Sequence, residues 1–159
     1  MPFTIVAENC TGCTACEKRC PTRAISGDPK KAFFIEPALC IDCGACGVIC
    51  PDEAILDNYG NVTKVLKRQE RPIAIVHPDN CNGCGVCIDV CPFDCIYPSP
   101  NNGPQYLGNV EVNEPTCVGC KLCEEVCGWE GIYIMPGKEK EAFLSALGYD
   151  APSGSDDAA

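Results

Sequence analysis

The chain has 159 residues and a formal net charge of −10, from 22 acidic and 12 basic side chains, and it carries 17 cysteines. So acidic a composition is a poor match for nucleic acid or an anionic membrane surface, and no stretch has the make-up of a membrane helix or a secretory leader. The cytoplasm is the expected location, and there cysteines at this density point to metal; an odd number is also ill suited to a disulfide framework.

In chain order, a short apolar, β-favouring run at residues 3–6 leads into Cys10, Cys13, Cys16, Cys20 and Pro21. Ile25 follows. The pattern returns with residues 33–35, then Cys40, Cys43, Cys46, Cys50, Pro51 and Ile55. The third copy has residues 73–76, then Cys81, Cys84, Cys87, Cys91, Pro92 and Ile96. The fourth has residues 110–112, then Cys117, Cys120, Cys123, Cys127 and Ile132, with Gly128 in place of proline and Trp129 beside it. Each unit therefore reads as strand, cysteine loop, short helix, strand.

Sixteen of the 17 cysteines fall in these runs, all spaced C-x2-C-x2-C-x3-C. The first three can wrap one face of a compact cluster. The fourth lies four residues beyond the third, about 6 Å along a helix axis, which suits it to a neighbouring cluster. Proline at the next position removes a backbone donor and closes the turn. This is the run that binds cubane [4Fe–4S] clusters, so four copies imply four clusters. Zinc ribbons use two C-x2-C pairs across a longer loop and leave the third and fourth cysteines of each run unexplained.

The spacing divides the chain into a first two-cluster module at 1–58, a connector at 59–72, a second module at 73–136, a helix at 137–148 and a disordered tail at 149–159. The expected class is α+β, with short antiparallel hairpins and short helices around the clusters, and with folding coupled to cofactor insertion. The connector carries a basic stretch, Lys64 to Arg71, read either as a solvated link or as a patch meeting an acidic surface or a cluster sulfur. In the last helix Phe143, Ala146 and Leu147 form the apolar side, with Gly148 as its stop. Cys95, where the first two copies have alanine, reads as a small buried thiol next to a cluster, with a spare ligand or redox thiol as the other reading. His77 has no neighbours that suggest catalysis. Trp129 is expected to bury its ring against its cluster or at an interface. No phosphate-binding glycine loop and no nucleophile–base pair occurs, so no catalytic site is expected.

The four runs resemble bacterial two-cluster ferredoxins duplicated in tandem, the polyferredoxins. The resemblance implies that Cys10, Cys13, Cys16 and Cys50 hold one cluster, and Cys40, Cys43, Cys46 and Cys20 the second. Cys81, Cys84, Cys87 and Cys127 then hold the third, and Cys117, Cys120, Cys123 and Cys91 the fourth. A nested arrangement, as in four-cluster subunits of molybdopterin oxidoreductases, is the alternative; it pairs the first run with the fourth and the second with the third. Short returns inside each half favour the sequential one. The chain's size and the segment 118–132 are also similar to the small electron-transfer subunits of tungsten-dependent aldehyde oxidoreductases and benzoyl-coenzyme A reductases. That likeness implies a noncatalytic relay between a large tungsten or molybdenum pterin subunit and an external carrier, with a flavin subunit serving NAD as a further partner. Head-to-tail contact between copies is also expected. A free-standing soluble carrier is the alternative function.

Overall fold

The computed structural model describes residues 2–100 and 108–149. Its regular structure is short and falls where the apolar runs and trailing isoleucines lie. Strand β1 (Thr4–Ile5) pairs antiparallel with β4 (Ile55–Leu56), while β2 (Ile25–Ser26) pairs with β3 (Phe34–Ile35). The pattern repeats in β5 (Pro72–Val76) with β8 (Ile132–Pro136) and in β6 (Ile96–Pro98) with β7 (Val110–Val112). Only the inner pair of each half is a hairpin. The outer pair joins the first strand of the half to its last, bringing its two cysteine loops over one small core.

The cores follow the alternation of the strands. Phe3, Ile25, Phe33, Ile35 and Ile55 are buried in the first half; Ile73, Ile75, Ile96, Val110 and Ile132 are buried in the second. Cysteines make up much of what remains inside, so neither core is large.

Helix α1 (Ala15–Arg19) carries Cys16, α2 (Val86–Asp89) carries Cys87 and α3 (Leu122–Glu125) carries Cys123. The second copy has a 3-10 turn at Gly47–Ile49 instead. There Thr63 packs so closely that a Cβ on Gly47 would lie 2.8 Å from its methyl carbon. Residues 62–66, expected as connector, fold back onto the first half: the Thr63 N–H donates to Ile55 O at 2.8 Å, and Leu66 N–H to Val48 O at 3.3 Å.

The last helix, α4 (Lys140–Ala146), follows a 3-10 turn at Gly137–Glu139 and stops at Gly148, whose φ of 84° is left-handed. It packs on the second core through Phe143 and Leu144, whereas Ala146 is exposed. Phe143 and Leu147 of the expected apolar side are half-buried, and Leu144 takes the place expected for Ala146. Lys140 pairs with Glu114, and the Tyr149 hydroxyl donates to Asp79, so residue 149 belongs to the folded part. Residues 150–159, the remainder of the expected tail, lie outside the described residues. No helix among the described residues is long and apolar enough to cross a membrane.

Candidate metal centres

Each cysteine loop turns on left-handed backbone. In the four copies the residue before the second cysteine (Gly12, Asp42, Gly83, Gly119) and the residue after it (Thr14, Gly44, Gly85, Lys121) all have positive φ. The tightest cases are Gly12 and Gly83, where a Cβ would fall 2.4 Å from the carbonyl oxygens of Lys31 and Gly108. After the fourth cysteine a second turn repeats. Its third residue (Arg23, Glu53, Asp94, Glu130) is again left-handed, and its N–H donates to the cysteine carbonyl at 3.3–3.4 Å. The next N–H then points at sulfur: Ala24 to Cys20 Sγ at 3.3 Å, Ala54 to Cys50 at 3.4 Å, and Gly131 to Cys127 at 3.2 Å. Gly131 is closely packed, since a Cβ there would sit 3.1 Å from the Cys81 Cα.

These turns bring the cysteines around cavities. Cys20, Cys40, Cys43 and Cys46 line one, with Ile25 and Ile35 in its walls. Cys81, Cys84, Cys87 and Cys127 line another, with Val126 and Trp129. Cys91, Cys117, Cys120 and Cys123 line a third, together with Cys95 and Phe93. Cys10, Cys16 and Cys50 pack in the first core, and the Thr11 hydroxyl donates to Asp52 at 2.5 Å, tying the first loop to the turn after Cys50. Among the described residues no three His, Cys, Asp or Glu side chains are placed to hold a single metal ion. Four thiols around an apolar cavity, with amide hydrogens aimed at sulfur, fit a thiolate-held cluster and not a lone zinc ion.

Burial sets the thiol acidities. It pushes Cys16 and Cys87 up to about 11 and Cys46 and Cys123 up to about 12, and neighbouring cysteines in each group push the same way. Cys117 goes the other way, down to about 6, chiefly because the Cys95 thiol donates to it. Cys95 is 2% exposed, lies 3.4 Å from Cys91 Sγ, and is pushed up by its bond to Cys117, by burial and by Cys91. It is therefore a buried thiol beside the sulfurs of two motif cysteines.

Trp129 contacts the cavity edge but is 62% exposed, so its ring is not buried within this chain. His77 packs in a ring cluster with Tyr133 and Phe143, at 6.3 Å from each. The basic stretch places Arg68 and Arg71 in a groove with Glu114 and Cys117, at the back of a motif cysteine. One participant was not anticipated. Arg19, just before Cys20, donates to the Thr116 carbonyl at 3.2 Å and lies 6.0 Å over the Phe93 ring. No local pattern marks a contact 97 residues away.

This architecture, paired cysteine loops over antiparallel strand pairs, is that of an iron–sulfur electron carrier. Two versions of the 4Fe-4S dicluster domain match the chain, one at residues 9–55 and the other at 39–95 and again at 80–132. A "ferredoxin-like protein in nif region" from Bradyrhizobium diazoefficiens is 39% identical over 75 residues, which are all of that protein and 46% of this chain. A protein of the same description from Rhizobium leguminosarum bv. trifolii is 43% identical over 42 residues, 64% of its length and 26% of this chain. Among solved structures, a chain of the formate dehydrogenase–heterodisulfide reductase–formylmethanofuran dehydrogenase complex from Methanospirillum hungatei is similar at a TM-score of 0.35 and 24% identity. The similarity covers 82% of this chain and 53% of that one, about half its length. The chain belongs to the 4Fe-4S dicluster domain family.

Proposed function

We propose that the chain is a noncatalytic relay subunit holding four [4Fe–4S] clusters, two in each of the modules 1–58 and 73–136, joined by residues 59–72. The ligands are grouped sequentially. Cys10, Cys13 and Cys16 act with Cys50, and Cys40, Cys43 and Cys46 with Cys20. Cys81, Cys84 and Cys87 act with Cys127, and Cys117, Cys120 and Cys123 with Cys91. When bound, each cluster accepts and returns one electron. The protein's own part is to supply thiolates, to aim backbone N–H groups at them and to exclude water with isoleucine and valine walls, all of which set the potential. The observation that supports this reading is the composition of three cavities, each of which holds three cysteines of one loop and the fourth cysteine of the other loop in the same half.

The partner is a large catalytic oxidoreductase subunit, with a tungsten or molybdenum pterin as the expected cofactor and a flavin subunit as the outlet to NAD. The acidic surface suits docking on a basic face of such a partner. The test is anaerobic isolation from native extract. About sixteen irons per chain, as four cubanes require, and co-migration with a large pterin enzyme are expected. Migration alone makes the chain a free carrier, and colourless protein without acid-labile sulfide overturns the cluster assignment.

A further inference from the structure

We infer that electrons cross between the two halves at the Cys43 and Cys120 loops, leaving the Cys13 and Cys84 loops as the outward ends of the relay. The electron order along the protein is then first, second, fourth and third loop, and not the order of the sequence. This inference rests on the four-cluster reading above.

A shared groove and the contacts of one arginine place the second and fourth loops against each other. Cys43 and Cys120 line one groove between the halves, with Gly44 and Gly119 beside them. Arg19 reaches from the residue before Cys20 to the carbonyl of Thr116, the residue before Cys117. The same guanidinium covers Phe93, which walls the cavity of Cys91, Cys117, Cys120 and Cys123. Residues that frame the second group of thiols thus touch residues that frame the fourth, on two sides. Inside each half the loops are linked as well, since Cys16 and Cys46 are buried in one core and Cys87 and Cys123 in the other.

The outward ends are defined by exposure. Of the sixteen motif cysteines only Cys13 and Cys84 are exposed, and they belong to the first and third loops. Cys43 and Cys120, the equivalent second cysteines of the other two copies, are half-buried at the junction. Each hop moves one electron and no atoms. It is supplied at one end by a reduced cofactor of a partner protein and taken up at the other by an oxidised one.

The test uses the full chain, reconstituted anaerobically, reduced with dithionite and read by EPR with a soluble dysprosium chelate as relaxing agent. Cys13→Ser and Cys84→Ser should each remove or alter a signal that the chelate relaxes strongly. Cys43→Ser and Cys120→Ser should remove signals that it barely touches. A strongly relaxed signal lost in Cys43→Ser or Cys120→Ser overturns the assignment. Should any of these variants fail to load iron, Arg19→Ala keeps all sixteen ligands and supplies a second readout. After a substoichiometric pulse of reductant, freeze-quenched EPR should show equilibration between the halves slowed several-fold with the iron count unchanged; an unchanged rate overturns the inference. Wild-type protein with fewer than four clusters per chain would instead refute the four-cluster reading, so the two failures are distinguishable.

Discussion

The two halves share a cysteine ladder and differ in what braces it. In the first half the outer strands pair over two residues, Thr4 with Leu56 and Ile5 with Ile55. In the second the equivalent pairing runs over five, from Pro72 opposite Pro136 to Val76 opposite Ile132. The second half also has α4, which adds Phe143 and Leu144 to its core and is fastened by Lys140–Glu114 and Tyr149–Asp79. The same loops therefore sit on a thin frame in one half and on a reinforced frame in the other. Cofactor and protein share the work of holding each half together, and the cofactor's share is greater in the first.

Removing iron is the largest perturbation of that difference. Chelation under reducing conditions should collapse amide protection throughout residues 2–58, while β5, β8 and α4 retain part of theirs; hydrogen exchange read by mass spectrometry checks this. Iron uptake should depend steeply on pH. Cys16, Cys46, Cys87 and Cys123 are protonated well above neutrality, so each must release a proton to become a ligand. Binding therefore weakens as pH falls from 9 to 6, by about tenfold per unit for each proton released, and proton release on reconstitution measures it. Phe143→Ala should cost about 2 kcal/mol in the second half alone, read from denaturant midpoints of holoprotein, because it empties a half-buried site between α4 and the sheet.

Smaller effects separate tuning from support. Cys95→Ala removes a thiol donor to Cys117 and a sulfur partner of Cys91, leaving alanine as at positions 24 and 54. The potential of the cluster bound at these cysteines should move to lower values and the others stay, as a redox titration followed by EPR will show. Losing a hydrogen bond to the thiolates makes the reduced, more negative cluster harder to form. Trp129→Ala, on an exposed ring, should change stability by less than about 0.5 kcal/mol, measured by thermal unfolding.

The local parts of this fold were legible because they are written locally. Cysteine spacing marks the loops, β-favouring runs mark β1, β3, β5 and β7, and Ile25, Ile55, Ile96 and Ile132 mark the strands that return. Cys95 beside its cluster could be read from its alignment with two alanines. Features set by distant neighbours could not. Thr63 packs against Gly47 of the second copy, a 3-10 turn precedes α4, and Arg19 finds Phe93 and Thr116 in the other half. The family matches illustrate the same limit. One of them spans 39–95 and joins the second run to the third, because every run has the same internal cysteine spacing, while the strands pair only within each half.

In both halves the opening strand lies beside the closing one, so the polypeptide enters and leaves at a single edge. A unit with adjacent ends can be copied, cut out or permuted without pulling on its neighbours, as domains with nearby termini generally can. Growth to a third pair of loops would need little more than another stretch of linker, which makes β1–β4 and β5–β8 the seams along which such a protein can be lengthened.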